Sequence, residues 1–66
     1  MELGKYRHFK GNVYYVTGIA KHSETGEDMV IYHTMANPEA IWVRPLAMWS
    51  EIVERDDKKY QRFSKI

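Results

Sequence analysis

A small all-β domain, a barrel or highly bent sheet of five to six short strands, is what the sequence predicts, and three observations predict it. Runs rich in β-branched and aromatic residues alternate with short polar breaks at 11–12, 23–27, 36–39 and 56–59. The longest such run, 13–22, carries Val, Tyr, Thr and Ile, no helix-capping pattern and a glycine at its middle, Gly18. Polar residues then separate it from Met29-Val30-Ile31-Tyr32, and the pair reads as a hairpin that forms the spine of the domain.

Taken in order, residues 4–12 alternate after the first glycine, so that Tyr6 and His8 point one way and Arg7 and Phe9 the other, before a turn at Gly11-Asn12. In the strand that follows, Gly18 marks a bulge, a sharp bend or a close approach. Residues 23–27 fit a three-residue loop with Gly26 left-handed in a G1 bulge. With Ser23 facing Glu27, Ala20 opposes Val30, Ile19 opposes Ile31, Gly18 lies under the Tyr32 ring, Thr17 opposes His33 and His22 faces Asp28. Asn37-Pro38 ends this hairpin, and residues 40–44 make a short strand that stops at Pro45. One helical turn over 46–50 follows, with Leu46 and Trp49 three apart on one side. Ile52-Val53 reads as a brief strand, 56–59 as a charged turn, and Tyr60 to Phe63 as a last strand.

A chain of 66 residues forms one domain, 1–66, that hides only about 60% of the surface its unfolded form exposes. Without cysteine it has no disulfide framework and no thiolate metal site. Packing therefore supplies the stability, chiefly through the nine residues that are Phe, Trp or Tyr. No apolar run approaches the roughly 20 residues that cross a bilayer, and the start shows no signal-peptide core. A cytoplasmic location with no membrane partner is the expectation. Ten basic against nine acidic residues leave a net charge of +1, short of the balance of a dedicated nucleic-acid binder. Its distribution is uneven. Lys5, Arg7 and Lys10 face only Glu2 in residues 1–11, whereas Glu24, Glu27 and Asp28 cluster without a base.

Five stretches in order, Tyr6-Arg7-His8-Phe9-Lys10-Gly11, His22-Ser23-Glu24-Thr25-Gly26-Glu27, Trp42-Val43-Arg44-Pro45, Met48-Trp49 and Arg62-Phe63, resemble a family of small bacterial domains of unknown function across nearly the whole chain. The resemblance implies an SH3-like barrel, standing alone or attached to a larger enzyme, and implies no activity. The chain departs from the family pattern at Asp57, where a turn glycine is usual, and at Gln61, which precedes Arg62 where a proline is common.

Histidines 8, 22 and 33 have no metal-ligand spacing, so neither a metal nor another cofactor is expected. His22, Ser23 and Glu24 have the residue types of a hydrolytic triad, but three consecutive residues cannot converge as nucleophile, base and orienter; they read as turn chemistry or as exposed polar groups at a barrel mouth. Trp42 and Arg44 share a strand face, which suits a core ring beside a carbonyl-capping arginine or a pair that recognises a ligand. The aromatics are too many for one small core, so some are exposed among basic residues. These features point to a non-catalytic binding or accessory module, with Tyr6, Arg7, His8, Tyr32, Trp42 and Arg44 as its aromatic and basic face and His22, Ser23 and Glu24 as further candidates at the turn. A protein or peptide is the expected partner. Single-stranded nucleic acid is the alternative, followed by a small hydrolase or metal-assisted enzyme using His8, His22, Glu24 and Arg44, and by a self-associating structural domain.

Overall fold

The computed structural model describes residues 1–66 as seven strands and one helical turn. Strands β1 (Gly4–His8), β2 (Val13–Lys21), β3 (Asp28–Thr34), β4 (Trp42–Pro45) and β7 (Phe63–Lys65) form an antiparallel sheet in the order β4-β3-β2-β1-β7. Strands β5 (Ile52–Arg55) and β6 (Lys58–Gln61) pair separately as a hairpin, and α1 (Leu46–Trp49) follows β4 directly. The all-β class and the turn of helix after Pro45 are both present. The strand count is seven rather than five or six, because the expected last strand is two. It breaks at Arg62, whose backbone N–H donates to the Glu51 carbonyl (2.9 Å) while its own carbonyl accepts from Phe9 (2.9 Å). That bend lets β6 stay with β5 while β7 joins β1.

Alternation sorts the sheet into two faces. Cross-strand partners Tyr6 and Tyr14, His8 and Phe63, Val16 and Tyr32, Tyr32 and Trp42, and Val30 and Arg44 share the inner face. The core is built on it from Tyr6, Val16, Val30, Trp49 and Phe63, the only buried residues, with Val16 and Val30 wholly enclosed. Trp49 is the centre. It stacks on Phe63 (ring centroids 3.7 Å apart, planes at 6°) and meets Tyr6 (5.6 Å) and Tyr32 (5.1 Å) edge-on. Rings from β1, β3 and β7 reach one indole only if the sheet curls around it, and α1 supplies that indole. Pro45, with extended φ −55° and ψ 135°, ends β4 and stands just before the helix rather than within it. Ser50 closes the turn by donating its N–H to the Leu46 carbonyl (3.1 Å).

The β2–β3 register differs from the predicted one. Lys21 pairs with Asp28, Ala20 with Met29, Ile19 with Val30 and Gly18 with Ile31; then Thr17 is extruded as a bulge, and Val16 meets Tyr32. Gly18 therefore lies under Ile31, not under the Tyr32 ring. His33 opposes and stacks on Tyr15 (5.6 Å, 7°) instead of meeting Thr17, and the ion pair at the tip is Lys21–Asp28 (2.6 Å), not a His22 contact. The cause is the turn. His22 pairs with Glu27 (N to O 2.8 Å), which makes a four-residue loop. The His22 Nδ1 accepts the N–H groups of Glu24 (3.1 Å) and Thr25 (3.4 Å), so the imidazole begins the turn one residue before Ser23. Gly26 takes the left-handed conformation the turn needs (φ 74°).

Candidate functional site

The turn between β1 and β2 uses the same histidine device. His8 pairs with Asn12, Gly11 is left-handed (φ 106°), and His8 Nδ1 accepts the Lys10 N–H at 3.1 Å. This fixes the imidazole on the inner face, edge-on to Phe63 (5.0 Å) and Tyr14 (6.4 Å). Tyr14 in turn meets Tyr32 edge-on (5.6 Å). Beyond Tyr32, edge strand β4 adds Trp42, which is 55% exposed. Tyr14, Tyr32, Thr34 and Trp42 line a cleft of about 280 Å³. A second cleft of about 490 Å³ continues past Tyr14 and Thr34 to Met35 and the glycine turn at Gly11.

Arg44 lies two residues from Trp42 on the same face, with its guanidinium 5.6 Å over the Phe63 ring. The ion pairs of the chain are Lys21–Asp28 and Arg62–Glu51, so Arg44 has no carboxylate partner. A half-buried cation over an aromatic face, with its donors unpaired, is suited to a carboxylate or another planar acceptor. The site as a whole is an aromatic groove with an unpaired cation beside it on the same face.

Burial first, then the charges of Arg62, Lys10 and Arg44, hold the His8 imidazole below its ordinary pKa of 6.5. Protonation would also end acceptance of the Lys10 N–H. The unfolded chain thus binds the proton more readily than the folded one, so the stability His8 contributes is complete above about pH 6.5 and is lost as pH falls below it. We expect the urea midpoint to decline between pH 7 and pH 5, and the decline to be shallower in His8→Gln. Parallel declines in the two proteins would assign the pH dependence to other groups.

The candidate residues from the sequence do not form one surface. Tyr32, Trp42 and Arg44 come together, and His8 borders them. Tyr6 is buried in the core and its hydroxyl donates to the Glu2 carbonyl (2.6 Å), so it offers no exposed ring; burial and the Glu2 charge raise its pKa. Arg7 is on the opposite face of β1, across from Ser64. His22, Ser23 and Glu24 occupy the turn at the far end of β2, roughly 25 Å or more from His8 by strand rise. The four groups of the hydrolase alternative are therefore not assembled, and no three His, Asp or Glu side chains converge as metal ligands. Sequence reasoning missed Tyr14 and Thr34 as groove residues. Tyr14-Tyr15 is a doublet whose inner member is decided only by the register to β1.

Fold and groove together define a small, curved, antiparallel β domain with an aromatic cleft on its concave side. Residues 4–65 match the model of the family described as "Protein of unknown function (DUF1653)". The chain belongs to that family. It is also similar to a Bordetella bronchiseptica protein of the same family known from a crystal structure, with 31% identity and a TM-score of 0.88 over 100% of this chain and 87% of that one. A search of curated proteins returned no match. No helix is long and apolar enough to cross a membrane.

Proposed function

We propose that this domain is a non-catalytic module that binds an extended peptide along the Tyr14, Tyr32 and Trp42 groove, with an acidic side chain or terminal carboxylate of the peptide on Arg44. The observation that carries this reading is the unpaired Arg44 on the same face as the aromatic cleft, two residues from Trp42 and over Phe63. Exposed rings on a rigid sheet take up proline or apolar side chains at low entropic cost, as aromatic-lined grooves for extended peptides do. The arginine supplies polarity and register. A location in the cytoplasm of a bacterial cell suits such a module, since without cysteine it needs no oxidising compartment to fold.

Selection from a phage-displayed random dodecapeptide library tests this. Enriched peptides should carry proline or aromatic residues beside an acid and should shift Trp42 fluorescence. Affinity should fall about tenfold in Trp42→Ala and again in Arg44→Gln, each a loss above the roughly 1 kcal/mol that most interface residues do not reach. Enriched peptides that bind both variants as well as the parent would overturn the assignment, as would a selection that enriches nothing.

A further inference from the structure

A second cluster, on the Arg7 side of β1, lies apart from Tyr14, Tyr32 and Trp42, with His8 between the two. Phe9 and Tyr60 stack with centroids 6.0 Å apart and planes at 21°. Arg55 lies 5.6 Å and Lys10 5.9 Å from the Phe9 centroid. Arg7, Phe9 and Tyr60 line one cleft of about 330 Å³ together with His8, Gln61, Ser64, Lys65 and Ile66, and no Asp or Glu side chain lines it. Arg7, Lys10 and Arg55 are exposed and make none of the chain's ion pairs. The sequence brings them there from two directions. The basic opening segment ends in the turn that carries Phe9 and Lys10, and the β5–β6 hairpin folds Arg55 and Tyr60 against that turn.

Three unpaired cations around a stacked aromatic pair fit a ligand that alternates negative charge with planar rings. We propose that this cleft binds single-stranded nucleic acid, a base stacking on the solvent side of Tyr60 while Arg7, Lys10 and Arg55 contact successive phosphates. Tyr60 is 40% exposed, and Phe9 stacks on one face of its ring. Base stacking of this kind is indifferent to sequence, and phosphate contacts give it a steep salt dependence. The site is distinct from the peptide groove and does not depend on it. With a net charge of only +1, affinity at physiological salt lies at the weak end of nonspecific binding, roughly 10⁻⁴ M.

The test is a titration of the full chain with dT12 and rU12 at about 20 mM salt and upward, followed by amide chemical shifts. Three phosphate contacts predict a log–log salt slope near −2, at roughly −0.7 per contact on a single strand. Shifts should centre on Phe9, Lys10, Arg55 and Tyr60. The exposed double variant Lys10→Gln/Arg55→Gln should lose at least tenfold in affinity and show a slope nearer −0.7, whereas Trp42→Ala should bind as the parent does. Binding of both oligomers points to stacking and phosphate alone, and binding of rU12 only adds a contact to the 2′-hydroxyl; either supports the site. Failure to bind either oligomer at low salt would overturn it, as would equal binding by the double variant, shifts centred on Trp42, or a polyglutamate peptide that binds as well as the oligonucleotides.

Discussion

Trp49→Ala is expected to remove half or more of the protein's stability at 25 °C. A domain of this size has on the order of 3–10 kcal/mol of stability, and removing a buried tryptophan costs about 3–5 kcal/mol. Trp49 lies at the upper end of that range, because three other aromatic rings rest on its indole, one of them stacked face to face at 3.7 Å. The neighbours cannot collapse into the void. They belong to three different strands of one sheet, and closing the gap would mean sharpening its curl. Far-UV circular dichroism in a urea titration reads the loss without relying on tryptophan emission. A midpoint close to the parent's would show that the core is centred elsewhere.

Two further substitutions separate the roles of the two tryptophans. The Trp49 indole N–H is buried without a hydrogen-bond partner, so Trp49→Phe gives up no polar contact and keeps a ring on Phe63. Its cost should be about 1–2 kcal/mol, chiefly the smaller volume. Trp42→Ala removes an equally large side chain from an exposed edge and should change stability by no more than about 0.5 kcal/mol. The two tryptophans thus divide the labour: one holds the sheet in its curve and the other faces solvent in the groove.

That division was only half legible in the sequence. Alternation placed Tyr6, Tyr14, Val16, Val30 and Tyr32 on strands, Pro45 marked where β4 stops, and Gly11 and Gly26 marked turns; local steric rules suffice for all of these. Which tryptophan is central depends on where the edge of the sheet falls, and strand order is a nonlocal property that Trp42-Val43 does not encode. The bulge at Thr17 was flagged one residue away, at Gly18, because glycine announces backbone freedom while a β-branched threonine announces regular strand. The hairpin register failed for a chemical reason. Ser23 looks like the residue that starts the turn, but the imidazole of His22 captures the turn N–H groups first. The groove was legible in Tyr32, Trp42 and Arg44 and illegible in Tyr14 and Thr34, which depend on the partner strand's register, while Arg7, expected on the same face, lies on the opposite one.

Replacing Asp56-Asp57 with Asn-Gly is expected to stabilise the protein by about 1–2 kcal/mol, which for a chain this short raises Tm by roughly 4–16 °C. Arg55 pairs with Lys58 across a two-residue turn whose central residues both have positive φ, 51° at Asp56 and 63° at Asp57. This is the primed hairpin turn that matches the twist of its strands and for which Asn-Gly is the preferred filling. A residue with a Cβ loses roughly 1–2 kcal/mol in the left-handed region, somewhat less for aspartate, and two adjacent carboxylates at the tip add repulsion. Glycine at 57 removes the steric term but admits more unfolded conformations, which is why the gain is not larger. The relief reaches the whole fold through the base of the hairpin, where Arg62 ties Glu51 to the turn at Phe9 through backbone hydrogen bonds and its guanidinium holds the Glu51 carboxylate at 3.0 Å. If Tm instead stays put while the amides of β5 and β6 gain protection from hydrogen exchange, the hairpin opens independently of the sheet, and its strain has no hold on global stability.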